Sequence, residues 1–206
     1  MPIWAGVWAR ATCSWSGSVT LVTAPTLNAT RLLRWSGVAA LVGALLWGYK
    51  SVAILVTGDQ PDFVFEVAPF FFGVSLVALV YALRGQLRRP DMLLVGLGWL
   101  AVAGGGFAAV AYILQGDDGV FGPGLLVSFV SMIVLLFLIG GDIRRNQLLP
   151  RWSFAPWFLA WAYVGSIPLG AVLSGINERL LEISLLVVVA GWAMLAVATL
   201  NPQTDP

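Results

Sequence analysis

Histidine is absent from the 206-residue chain. Without imidazole there is no His-ligated haem, no imidazole metal site, no Ser-His or Cys-His nucleophile pair and no HExxH helix. Cysteine occurs once, at Cys13, so an internal disulfide, a CxxC redox pair and a thiolate metal cluster cannot form within one chain. Charge is scarce as well: 10% of residues are charged and 59% hydrophobic, against roughly 25% charged in soluble domains. An ordinary water-soluble globule is excluded. The net charge of +1 provides no basic excess for nucleic acid. Lysine is nearly missing too, since ten of the eleven basic residues are Arg, a bias that fits a GC-rich bacterial genome.

What remains is apolar and long. No charge occurs in 67–83, 92–116, 119–141, 152–177 or 183–204. Four of these gaps exceed the ~20 residues that span a bilayer core, and the first is near the lower limit of ~17. The runs are continuously apolar, without the ~10-residue alternating segments of a membrane barrel. The expected fold is therefore an all-α integral membrane protein, a six-span transmembrane helical bundle with spans near 35–57, 67–83, 92–114, 122–140, 153–174 and 180–200. Residues 1–34 read as a cytoplasmic tail, poorly ordered or interfacial, because Arg10 and Pro25 interrupt a patchy Ser/Thr/Ala-rich stretch. Residues 35–200 form the membrane domain, and 201–206 a short cytoplasmic C-terminal tail.

The junctions alternate in charge. Residues 1–34, 84–91 and 141–151 hold nine of the eleven basic residues, all Arg; the opposite junctions hold Asp59, Asp62, Glu66, Asp117, Asp118, Glu178 and Glu182, with Arg179. Short Arg-rich loops stay on the cytoplasmic side, which puts both termini inside a plasma membrane and agrees with an even number of spans. Gly58-Asp59 after Ile54-Leu55 recurs as Gly116-Asp117 after Ile113-Leu114, and each is followed by an Arg pair, Arg88-Arg89 and Arg144-Arg145. Three parallel helical hairpins of ~58 residues would produce this pattern, as would any six short-looped spans.

Lys50 is the sharpest anomaly, because a lysine at mid-bilayer costs about 2.5–3.5 kcal/mol. It lies seven residues before Thr57, roughly 10 Å from the span end at 1.5 Å per residue. Either its stem snorkels to the outer surface, or it faces the bundle and pairs with Glu66, which opens the second span on the same side with Pro69 in the first turn. In the second case Lys50 and Glu66, with Trp47, Tyr112 and Gln115 nearby, form a ligand-binding mouth. Asp117, Asp118, Glu178 and Glu182 around it are either solvated loop charges or an acidic ring for cations.

Small residues mark packing faces: Ala101, Gly105 and Ala109 on the third span, with Gly104 and Gly106, and Ala40 and Ala44 on the first, where backbones approach closely. Pro168 predicts a kink in the fifth span. With no nucleophile motif the chain is expected not to be an enzyme, and to need no cofactor or metal. The expected role is a non-catalytic membrane component whose partners are the bilayer and a lipid, another membrane protein or a small polar ligand. The six-span layout with Ala40-Leu41-Val42-Gly43-Ala44 on the first span resembles the substrate-binding subunits of energy-coupling-factor transporters. That resemblance implies the alternative of a small transporter, or its substrate-binding subunit, with an outward-facing polar cleft.

Overall fold

The computed structural model describes residues 27–61, 66–115 and 121–201. Expectations for the tail up to residue 26, for Cys13, Asp62, Asp117 and Asp118, and for residues 202–206 fall outside them. Six α-helices and no strands occur among the described residues: α1 (Leu27–Thr57), α2 (Ala68–Ala82), α3 (Asp91–Gln115), α4 (Phe121–Asn146), α5 (Ala155–Ser174) and α6 (Leu181–Leu200). Five of them, all but α2, are long and apolar enough to cross a bilayer, the mark of a membrane-embedded protein.

The second expected span, 67–83, is the exception. Glu66 and Val67 form a tight 3-10 turn and Pro69 sits at the start of α2, where a missing amide costs nothing. At the other end Gly85 takes φ +80°, which stops the helix. The remaining 15 residues cover about 22 Å at 1.5 Å per residue, short of the ~30 Å hydrocarbon core. Two other helices are longer than their apolar runs. α1 begins at Leu27, inside the stretch read as tail, and α4 continues to Asn146. The added turns carry Arg31, Arg34, Arg144 and Arg145, whose stems let the guanidinium reach water while the backbone stays helical.

Each helix packs on its neighbours in sequence, α6 closes the ring on α1, and α2 also touches α4. α2 is the most enclosed: Ala68, Phe72, Leu76 and Leu79 are fully buried. A helix apolar on all sides is stable in such a position. Around it the core is aromatic. Phe72 stacks on Trp192 with ring centroids 4.2 Å apart and planes at 6°, and Trp47 meets Phe72 edge-on at 5.6 Å. Trp192 Nε1 donates to the Tyr163 hydroxyl at 2.8 Å, so the one polar atom of the buried indole is satisfied.

Small residues set the helix spacing, as the stripe on α3 predicts. A Cβ at position 105 would lie 2.7 Å from the Phe70 backbone nitrogen, and one at 104 would lie 2.8 Å from the Gly124 carbonyl oxygen. Gly105 thus admits the start of α2, and Gly104 admits α4. Ala101, Ala109, Ala40 and Ala44 are buried, and Gly43 beside the last two accepts the Phe72 ring. Buried hydroxyls join helices in the same seams: Ser36 and Ser75 are 3.1 Å apart between α1 and α2, and Ser128 of α4 donates to the Ala101 carbonyl at 2.9 Å. Pro168 lies within an unbroken α5 and is exposed.

The Arg-rich junctions gather at one end of the bundle. There Arg84 Nε donates to Asp91 at 2.8 Å, and the Arg88 amide donates to Asp142 at 2.9 Å. Asp91 pushes the Arg84 guanidinium up from its ordinary pKa, mainly through that hydrogen bond and then through its charge.

Candidate functional site at the acidic end

At the opposite end α1 finishes in a turn that its sequence specifies. The Gly58 amide donates to the Ile54 carbonyl at 2.9 Å, closing the helix with a residue at φ +83°, a left-handed conformation that favours glycine. A side chain there would also run into the Arg179 guanidinium. Thr57 Oγ1 donates back to Ala53 O at 2.9 Å and accepts from the Asp59 amide at 3.1 Å. The chain then reverses through Gln60 towards Glu66.

This reversal brings four polar side chains together. Lys50 Nζ donates to Glu66 Oε1 in a direct ion pair. Gln60 Nε2 donates to the same oxygen at 3.0 Å and to the Tyr112 hydroxyl at 3.2 Å. One cluster thereby links α1, the α1–α2 junction, the start of α2, and α3. The side chains of Lys50 and Glu66 are 14% and 6% exposed, which decides between the two placements of the lysine: it pairs inside the bundle and does not snorkel. A pair this buried is costly to break, because removing one partner leaves an uncompensated charge.

Not every expected site residue joins the cluster. Trp47, one turn before Lys50, is buried between Phe72 and Phe129 and belongs to the aromatic core. Tyr112 does join, with its ring 5.0 Å from Phe121. Gln115 ends α3, and its side chain lies outside the described residues. Pro168 is exposed on α5. Asp59 and Glu178 are exposed, in keeping with solvated charges, but Glu182 is not: it is 7% exposed. One participant carries no signal in the sequence: Gln60 reads as an ordinary turn residue. Ser51, one more small residue in an apolar run, is 1% exposed but makes no hydrogen bond to the cluster.

Comparison of the chain with protein-family models, with curated proteins and with solved structures finds no match.

Proposed function

We propose that the chain is a six-span bundle with both termini on the cytoplasmic side of a plasma membrane, and that it is a non-catalytic component which binds a small polar ligand at its acidic end. The observation that carries this reading is the buried Lys50–Glu66 pair bridged by Gln60 to Tyr112. Gln60 is exposed, and its amide nitrogen stands between a carboxylate oxygen and a phenol. A ligand N–H donor displacing Gln60 would meet both acceptors at ordinary hydrogen-bond distances, beside a cation that balances the carboxylate. Intramembrane charges of this kind are expensive and typically functional.

The six-span arrangement gives α2 a place its length allows. Packed against α1, α3 and α4, it buries most of its surface and leaves Tyr81 exposed near its end, and the turns flanking it would complete the crossing.

Native mass spectrometry of protein extracted from its own membranes tests the ligand. The wild type is expected to retain a small-molecule adduct that Lys50→Met with Glu66→Gln loses and that Gln60→Ala weakens. An adduct retained equally by the double variant, or none on the wild type, refutes the reading.

A further inference from the structure

The basic end of the bundle carries a feature independent of the polar cluster at the other end. α4 closes there in a fixed turn: Gln147 takes φ +51°, the Leu148 amide donates to the Ile143 carbonyl at 3.1 Å, and Gln147 Nε2 donates to the Arg144 carbonyl at 2.7 Å. A left-handed residue with a back-bonded amide is a common helix stop, and it leaves Arg144 and Arg145 in the last turn. α5 then starts close against α4, since a Cβ at Gly140 would lie 3.0 Å from the Trp157 backbone nitrogen.

That approach sets four side chains in a row along the α4–α5 seam. Arg144 lies over the Trp157 ring with Cζ 5.6 Å from its centroid. Trp157 meets Trp161 edge-on at 5.7 Å, and Trp161 meets Phe137 edge-on at 5.3 Å. Trp157 and Trp161 are 39% and 49% exposed, and Phe137 is half-buried. The row runs inward from the charged end: Phe137 is seven residues before Arg144, about 10 Å deeper at 1.5 Å per residue. Exposed rings at that depth, on two helices long enough to cross the bilayer, face acyl chains. Gly141, three residues before Arg144 and on the same face of α4, is exposed with nothing within 4 Å of a would-be Cβ, so the guanidinium borders open space.

Charge at this end is unbalanced. Among the described residues its two carboxylates are engaged, Asp91 by Arg84 and Asp142 by the Arg88 amide. The Arg144 guanidinium makes no ion pair and donates no hydrogen bond among these residues, and Arg145 and Arg151 are likewise exposed and without a carboxylate. An indole face beside a guanidinium leaves its edge N–H groups free, and that edge is the fork that takes a phosphate in bidentate fashion. Basic pockets between membrane helices bind anionic headgroups in this way.

We infer that Arg144, Trp157, Trp161 and Phe137 bind one anionic phospholipid on the exposed side of the α4–α5 seam. Arg144 holds the phosphate, and an acyl chain lies along the rings of Trp157, Trp161 and Phe137. A soluble anion would use the guanidinium and gain nothing from the row. A phosphatidylcholine would use the rings but bring its own cation among unpaired arginines. An acidic protein segment would match the charge and leave the deeper rings unused.

Native mass spectrometry of the purified full chain tests this, with delipidated protein in detergent titrated with phosphatidylglycerol or phosphatidylcholine of the same acyl chains. One phosphatidylglycerol per chain is expected to bind several-fold more tightly than phosphatidylcholine. Arg144→Gln should remove most of that preference, and Arg144→Lys, which keeps the charge but not the fork, should restore only part of it. Trp161→Ala should weaken both lipids alike, because it meets the chain and not the headgroup. Arg34→Gln, which removes the same charge on α1, should change neither. Arg144 is exposed, so its variants should keep the parent's Tm without lipid, and lost binding is then not lost fold. The inference is overturned if the two lipids bind the wild type equally, or if sn-glycerol 3-phosphate binds as well as the lipid. It is also overturned if Arg144→Gln and Arg34→Gln lower phosphatidylglycerol binding to the same extent, as a diffuse basic surface would.

Discussion

Gly105 and Gly106 are adjacent on α3, and the structure assigns opposite consequences to the same substitution at each. A Cβ at position 105 would be 2.7 Å from Phe70 N, 2.8 Å from Pro69 C and 3.0 Å from Phe70 Cα, all backbone atoms, whereas one at position 106 would meet only the Phe70 ring, at 3.4 Å. Ordinary contact begins at 3.4 Å, so Gly105→Ala needs 3.4 minus 2.7, about 0.7 Å, of separation between α2 and α3. No rotamer change can provide it. A gap of 0.5–1 Å forfeits roughly a quarter to a half of the dispersion well of each contact across a seam, and overpacking of this kind costs about 1–3 kcal/mol. Replacing glycine by alanine also favours the helix by about 0.8–1 kcal/mol, equally at both positions. The difference between the two variants is therefore the steric cost alone. Equilibrium unfolding in mixed micelles should place Gly105→Ala about 1–3 kcal/mol below Gly106→Ala, with Gly106→Ala at or above the parent. If the two agree within about 0.5 kcal/mol, the close approach of α2 and α3 at Gly105 is refuted.

Two further outcomes follow from the ion pair and the charge segregation. Lys50→Leu strands Glu66 and is expected to cost about 3–5 kcal/mol, most of which Lys50→Leu with Glu66→Gln restores; a single variant that is as stable as the parent in the same micelle assay would show that the pair contributes nothing. Cysteines introduced at positions 61 and 177 should react with an impermeant thiol reagent applied to intact cells, while those at 87 and 146 should react only after lysis; labelling at 87 in intact cells reverses the proposed orientation.

Much of the helical pattern was legible because charge is so rare here that each gap in it marks a helix. Helix ends were less so: a backbone satisfied internally has no reason to stop at Arg31, Arg34, Arg144 or Arg145, since long side chains carry their charge to the surface. α2 shows a different limit. A segment such as Pro69-Phe70-Phe71-Phe72 is equally suited to lipid and to a protein interior, so only the surrounding helices reveal that it is enclosed. The Lys50–Glu66 pair was readable because a single intramembrane lysine needs a partner and Glu66 opens the next helix on the same side. Trp47 packs its ring against Phe72 and Phe129, contacts that proximity in sequence to Lys50 does not reveal. The burial of Glu182 could not be read at all: its position in the first turn of α6 suits a solvated acid, and only the face that α6 presents to α1 makes it interior.

The pairing of Lys50 with Glu66 bears on how the bundle is made. The two residues are 16 positions apart, on consecutive helices, so the charge that makes α1 a poor guest in lipid is neutralised as soon as the next helix emerges. α2 in turn is too short to be a good lone span and brings the needed carboxylate at its leading edge. During synthesis the two are thus best delivered to the bilayer together as a hairpin, with α3 arriving to receive the face at Gly73 through its backbone at Ala101 and Val102. Insertion of α1 and α2 would then be a single step, and a nascent chain arrested between them would be the species most exposed to quality control.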